Sequence, residues 1–296
     1  MKVSNVHLSL AGAPDEAAAA AVQAEIQILE AQLAAANAKL HILAPTQQHP
    51  KLPSPSPLAP SAPSTQNLHL WLLLADSALP IGSFAFSSAL ESYILHHPLP
   101  PSTPPRASLT RFLRLSLLSV STTTVPFIAA AFRSPQLAPQ LDDTFDATTT
   151  CEVARRASLS QGRALCSVWE KSFARSFAAT SFHPRTYNPD HFGVAWGYIT
   201  RLTGVLPPED PHSLHQVLFV FLFNHVKALL SAAVRLSLVG PYIAQQILAA
   251  EETCELVLAA VERGSGIPVE SAGQSVPAMD LWQGRHEKLY TRIFNS

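Results

Sequence analysis

With 296 residues, 47% of them apolar, the chain holds enough hydrophobic material for a sizeable core. A formal net charge of -1, with no cluster of Lys and Arg interleaved with aromatics, excludes a protein that tracks a phosphate backbone, so no nucleic-acid partner is expected. Cys151, Cys166 and Cys254 are odd in number and lack C-x-x-C spacing, which excludes a disulfide framework or zinc knuckle and fits a reducing compartment.

The Ala-rich stretch near the start is preceded by Asp15 and Glu16 and interrupted by Glu25 and Glu30, unlike a secretory leader. The first arginine is Arg106, unlike an Arg-rich organelle presequence, so a cytoplasmic protein is expected. From Asp15 to about Leu43 the residues are good helix formers. Val22, Ile26, Leu29, Leu33, Ala36 and Leu40 alternate four and three apart as a short heptad seam. Residues 1–44 therefore read as an N-terminal extension with one amphipathic helix. Seven prolines between Pro45 and Pro63, mixed with serine, make 45–66 an extended linker. The folded domain is expected over 67–296.

From there the apolar periodicity is helical, and no alternating pair joined by Asn-Gly or Asp-Gly suggests a hairpin. The fold class is all-α: a single helical-bundle domain of about seven to ten helices. Helices are predicted over 68–76, 84–96, 106–133 with a bend at Pro126, 150–178, 190–204, 211–239 and 241–263. The stretches 97–105, 134–149 and 205–211 read as loops. Gly240 followed by Pro241 predicts a helix stop, with glycine supplying a left-handed residue and proline opening the next helix. The run from Val217 to Val239 is long and apolar, but Asn224, His225, Lys227 and Arg235 lie inside it, so a buried core helix is expected and no membrane span.

The G-x-S-x-G, G-x-x-x-x-G-K-[ST] and H-E-x-x-H motifs are absent from the sequence, so the chain is not expected to hydrolyse GTP itself or to act as an enzyme of those kinds. Asp142, Asp143 and Asp146 form a D-D-x-x-D string of the type isoprenoid synthases use to hold magnesium against a diphosphate. It lies in a Pro-flanked stretch read as a loop, and no second metal motif follows. His212 and His215 share a helix face but lack a third ligand, and the adjacent His96 and His97 cannot face each other. No metal ligand set is expected.

The segment from Leu72 to Glu91 is more informative. Pro80 and Gly82 enforce a tight turn, and Ser83, Ser87, Ser88 and Ala89 let a neighbouring helix approach closely. This string resembles the N-terminal signature of the UreF urease accessory family. Arg156 with Gln161, Gly162 and Leu165, then His191 with Gly193 and Gly197, then Ser231 to Leu236 with Gly240 and Gln245, resemble its later blocks in order. The tail residues Asp280, His286, Glu287, Tyr290, Arg292, Phe294 and Ser296 resemble its C-terminal signature, and the likeness covers about 69–296. Ala89 stands where the family usually has glycine before Leu90 and Glu91, Ser83 replaces a common second glycine, Phe86 a frequent histidine, and Ile293 a leucine.

The resemblance implies an all-α, non-catalytic accessory protein. It implies a homodimer that joins a UreD-like (UreH-like) protein and recruits a UreG-like GTPase to insert nickel into apo-urease. No stably bound cofactor is implied, since nickel and GTP would be handled through the partners. Asn224, Lys227, Ser231 and Arg235 fall three, four and four apart as one polar stripe on an otherwise apolar helix. The resemblance places Glu91 and Arg235, with Ser231 and Lys227 on that stripe, on the GTPase side. It places Asp280, His286, Glu287, Tyr290, Arg292, Phe294 and Ser296 on the UreD side, in a tail (277–296) expected to be flexible alone and to order on binding. Two other readings remain open: an all-α isoprenoid-type enzyme using Asp142, Asp143 and Asp146, and an oligomerising adaptor built on the N-terminal heptads.

Overall fold

A computed structural model describes residues 31–32, 65–96, 104–177 and 187–295. The chain divides into two units, Met1–Ser61 and Ala62–Ser296. Apart from residues 31–32, which are helical and exposed, the amphipathic stretch and the linker lie outside the described residues.

Among the described residues the second unit carries eleven α-helices and no strand. They are α1 (Thr65–Ala75), α2 (Leu90–His96), α3 (Pro105–Thr123), α4 (Val125–Arg133), α5 (Ala138–Thr148) and α6 (Glu152–Val168). After them come α7 (Phe192–Leu202), α8 (Pro211–Arg235), α9 (Pro241–Ala249), α10 (Glu251–Ser265) and α11 (Pro277–Arg285). Proline stands in the first turn of α3, α4, α5, α8, α9 and α11, where its missing N–H would have no helical partner anyway. At α8 the entry is completed by Asp210, whose carboxylate accepts the His212 amide at 3.0 Å. His212 and His215 lie exposed on that first turn.

The bend expected at Pro126 is present: α3 and α4 meet at 41° across Thr124, as a proline disfavours helical geometry in the residues before it. The loop expected over 134–149 is instead a 3-10 turn, Pro135–Leu137, followed by α5. Pro139 falls in the first turn of α5, so it starts the helix, while Ala138, Leu141 and Phe145 form its buried stripe. The single helix expected over 241–263 is two: Ala250 is extended (ψ 140°), and Glu251 and Glu252 open α10 at the end of the helix dipole that favours negative charge.

The helix expected to run to 239 ends at Arg235. Ser237 takes the left-handed conformation (φ 55°), with Ser237 N–H donating to Val234 O and Leu238 N–H donating to Ala233 O at 3.0 Å each. Gly240 has an ordinary φ of -74° and precedes α9, so serine, not glycine, closes the preceding helix.

The core lies between α4, α7 and α8. A Cβ added at Gly197 of α7 would stand 2.3 Å from the Ile128 carbonyl oxygen of α4, so the two helix backbones touch there. Trp196 is fully buried and donates its indole N–H to Val217 O at 3.1 Å, tying α7 to α8. The α8 helix is long and apolar enough to cross a membrane, but Leu218, Leu222, Val226 and Ala233 on it are buried inside the domain.

Candidate functional site at the corner and the tail

The polar stripe of α8 meets backbone carbonyls. Asn224 donates its side-chain amide to Leu74 O at 2.9 Å, Lys227 its ammonium to Ala75 O, and Arg235 its guanidinium to Phe84 O. The first two are terminal carbonyls of α1, which lack helical partners and attract positive charge. Burial lowers the pKa of both Lys227 and Arg235, with Asp76 opposing the shift at Lys227. Ser231 lies exposed on the same stripe.

Between α1 and α2 runs a corner. Gly82 is left-handed (φ 72°), a conformation glycine adopts without a steric penalty, and the 3-10 turn Ser83–Ala85 follows it. Two non-glycine residues, Ser88 (φ 49°) and Ala89 (φ 73°), are left-handed as well, and the latter is the position where the resembled family usually has glycine. Ser83 donates its hydroxyl to Gln161 of α6 at 3.1 Å.

Glu91, on the first turn of α2, is 2% exposed and accepts three hydrogen bonds. His286 Nε2 donates to it at 2.8 Å, the Ile293 amide at 2.7 Å and the Phe294 amide at 3.2 Å. All three donors belong to the tail. His286 and Phe294 are buried, and Arg235 stacks its guanidinium 4.3 Å from the Phe294 ring centroid. The Asn295 amide donates to Ala85 O at 2.8 Å, and Arg156 pairs with Glu287 at 2.5 Å. The hydrogen bond from Arg156 holds the Glu287 carboxyl below its usual range. Asp280, on α11, accepts from the Gln274 amide at 2.9 Å.

The tail, expected to be flexible alone and to order on binding, packs against the domain from Pro277 to Asn295 in this structure. Met279, Trp282, His286 and Phe294 are buried against the domain, and Glu91 accepts from the Ile293 and Phe294 amides. Glu91 and Arg235, read from sequence as one surface, and His286 and Phe294, read as another, form a single cluster. Glu91 lies beneath the tail. Tyr290, Arg292 and Ile293 remain exposed on its outer side, with Glu287 beside them. Ser296 lies outside the described residues.

The acidic string does not assemble a magnesium site. Asp142 is buried and accepts from the Tyr187 hydroxyl at 3.0 Å and from the amides of Asp190 and His191 at 2.8 and 2.9 Å, so it holds the chain just before α7. Asp146 is gripped by Arg155, which with His191 holds its carboxyl down at about 2. Asp143 is exposed. No group of three metal-ligating side chains occurs among the described residues.

A cavity of about 650 Å³ runs beneath the corner. Its wall includes Ser83, Phe84 and Phe86 from the corner, Ser119 and His225 from α3 and α8, and Met279 from α11. His225 receives or donates a hydrogen bond at 2.7 Å with Ser116, and burial pushes its pKa down to about 4.

The comparisons with known proteins agree with this architecture. A model of the UreF family matches residues 105–251. A urease accessory protein UreF-like chain of Schizosaccharomyces pombe is 36% identical over 245 residues, covering 79% of this chain and 99% of its own length. Urease accessory protein F of Oryza sativa subsp. indica is 30% identical over 250 residues (79% and 88%). Urease accessory protein UreF of Granulibacter bethesdensis is 31% identical over 247 residues (79% and 96%). An all-helical domain with these relatives falls in the class of urease accessory proteins, a name that fits a non-catalytic role. The chain belongs to the UreF family.

Proposed function

We propose that this chain is a cytoplasmic scaffold of urease maturation. As a homodimer it binds a UreD-like protein through its tail and recruits a UreG-like GTPase, so that nickel is delivered into apo-urease. The chain binds neither nickel nor GTP stably and regulates the GTPase by positioning it. The observation that carries this reading is the Glu91 cluster, where one buried carboxylate fixes the tail against the corner and Arg235. A rigid tail presents Tyr290, Arg292 and Ile293 outward, an apolar and cationic strip suited to a protein surface of acidic character. Ser231 and the exposed edge of Arg235 supply the GTPase-facing side, with Lys227 and Glu91 acting from beneath by holding α1 and the tail in place.

The test is co-purification from urease-positive cells. The full chain is expected to retain UreD-like and UreG-like proteins, and the Tyr290→Ala, Arg292→Ala double variant to lose the UreD-like one. Full urease activation in cells without this chain would overturn the reading.

A further inference from the structure

We propose that the cavity of about 650 Å³ beneath the corner binds one amphiphilic anion, an alkyl carboxylate whose chain fills the cavity and whose head meets Arg235 and Ser231 at the mouth. Such a site goes beyond the scaffold role and does not depend on it. The volume lies in the range of about 300 to 1,000 Å³ usual for ligand pockets, far above the voids of ordinary packing.

The depth of the cavity presents carbon. Leu74, Ile81, Phe127, Phe145 and Leu230 are buried residues of its wall. The hydroxyls of the wall are spent within the protein: Ser83 donates to Gln161, Ser119 to Gln274, Thr123 to Ser119 O and Thr149 to Phe145 O, while Ser116 pairs with His225. A polar guest would find few partners there to replace water, which selects an alkyl chain over a sugar or a nucleotide.

The mouth has a different chemistry. Ser231, Arg235 and Gln245 line the cavity and are exposed, so it reaches solvent where α8 ends and α9 begins. Ser231 and Arg235 stand four residues apart on one helix face. Arg235 touches Phe84 O and the Phe294 ring, and no carboxylate pairs with it among the described residues. A guanidinium carries five N–H donors, so some remain for an anion while both of those contacts stand. Burial lowers the pKa of Arg235 with no acid opposing the shift. The other charged wall residues are engaged: Asp76 lies close enough to Lys227 to favour its charge, and Asp280 accepts from Gln274.

The test uses cis-parinarate, an alkyl carboxylate that fluoresces in apolar surroundings, with the full chain. Saturation at one molecule per chain is expected, and dodecanoate should displace the probe about tenfold better than dodecyltrimethylammonium, which has the same chain and the opposite charge. Ser231→Glu sets a carboxylate beside Arg235 at an exposed position and is expected to weaken the probe about tenfold at unchanged melting temperature. Ala154→Phe, on the half-buried wall from α6, fills the cavity and should abolish binding.

No saturable signal, equal displacement by the two surfactants, or parent-like binding by Ser231→Glu would overturn the site. Should Ala154→Phe lower the melting temperature, Ser231→Glu decides alone. The measurement needs no urease protein, so its failure leaves the accessory role intact, and failed co-purification leaves the site intact.

Discussion

Arg235 and Phe294, at the end of α8 and the end of the tail, meet with the guanidinium carbon 4.3 Å from the ring centroid. The same guanidinium donates to Phe84 O, so one side chain joins the tail, the corner and the core helix. Arg235→Ala is expected to cost about 1 to 2 kcal/mol, the worth of a cation–π contact plus a charge-assisted hydrogen bond near the surface. Trypsin digestion checks the link: cleavage at Lys288 and Arg292 should accelerate in the variant while cuts elsewhere do not.

Glu91→Ala leaves the buried His286 N–H and two tail amides without an acceptor. A loss of about 3 kcal/mol is expected, since unpaired buried donors cost more than the net worth of the bonds they made. Urea denaturation measures it. A midpoint within error of the parent would mean that the tail is not held through this carboxylate.

Gly197→Ala probes the backbone contact between α7 and α4. The added carbon would lie 2.3 Å from Ile128 O, and backbone cannot step aside as a flexible side chain can. The expected destabilisation is about 3 kcal/mol, read as a fall in melting temperature. Gly284→Ala, whose new carbon meets nothing within 4 Å, is the matched control and should leave the melting temperature near that of the parent.

His225 gives a pH dependence whose sign is fixed by its environment. Its pKa falls from 6.5 to about 4 on burial, so the folded chain resists taking up a proton that the unfolded chain accepts. The stability from keeping it neutral is complete above about pH 6.5 and is lost as the pH drops toward 4. Because the ring borders the cavity and is only half-buried, about 1 to 3 kcal/mol is at stake. Denaturation midpoints between pH 4 and 7 should slope downward with acid in the parent and flatten in His225→Gln.

Much of the scaffold was legible because helices announce themselves locally. The prolines that open α8 and α9, the bend near Pro126 and the apolar length of α8 are all written in short stretches of sequence. Breaks made by ordinary residues were not: Ala250 carries no mark of an extended residue, and Ser237 took the left-handed place that Gly240 advertises.

The stripe from Asn224 to Arg235 was visible as a stripe, but its acceptors, Leu74, Ala75 and Phe84, lie about 150 residues away in the sequence. The Glu91 cluster was hidden for the same reason. A lone glutamate after a leucine has no local signature of burial, and its partners come from the far end of the chain. Only the resemblance brought Glu91 and the tail residues to notice, and it assigned them to separate faces.

The Ile293 amide that binds Glu91 is separated from it by 202 positions, nearly the full span of the domain. A ribosome making this protein must pass Ile293 before that bond can close, so the emerging polypeptide carries Glu91 without its final partners for about 200 residues of synthesis. Closure of that contact then marks a fully folded domain, and a chain cut short before Ile293 would lack that mark.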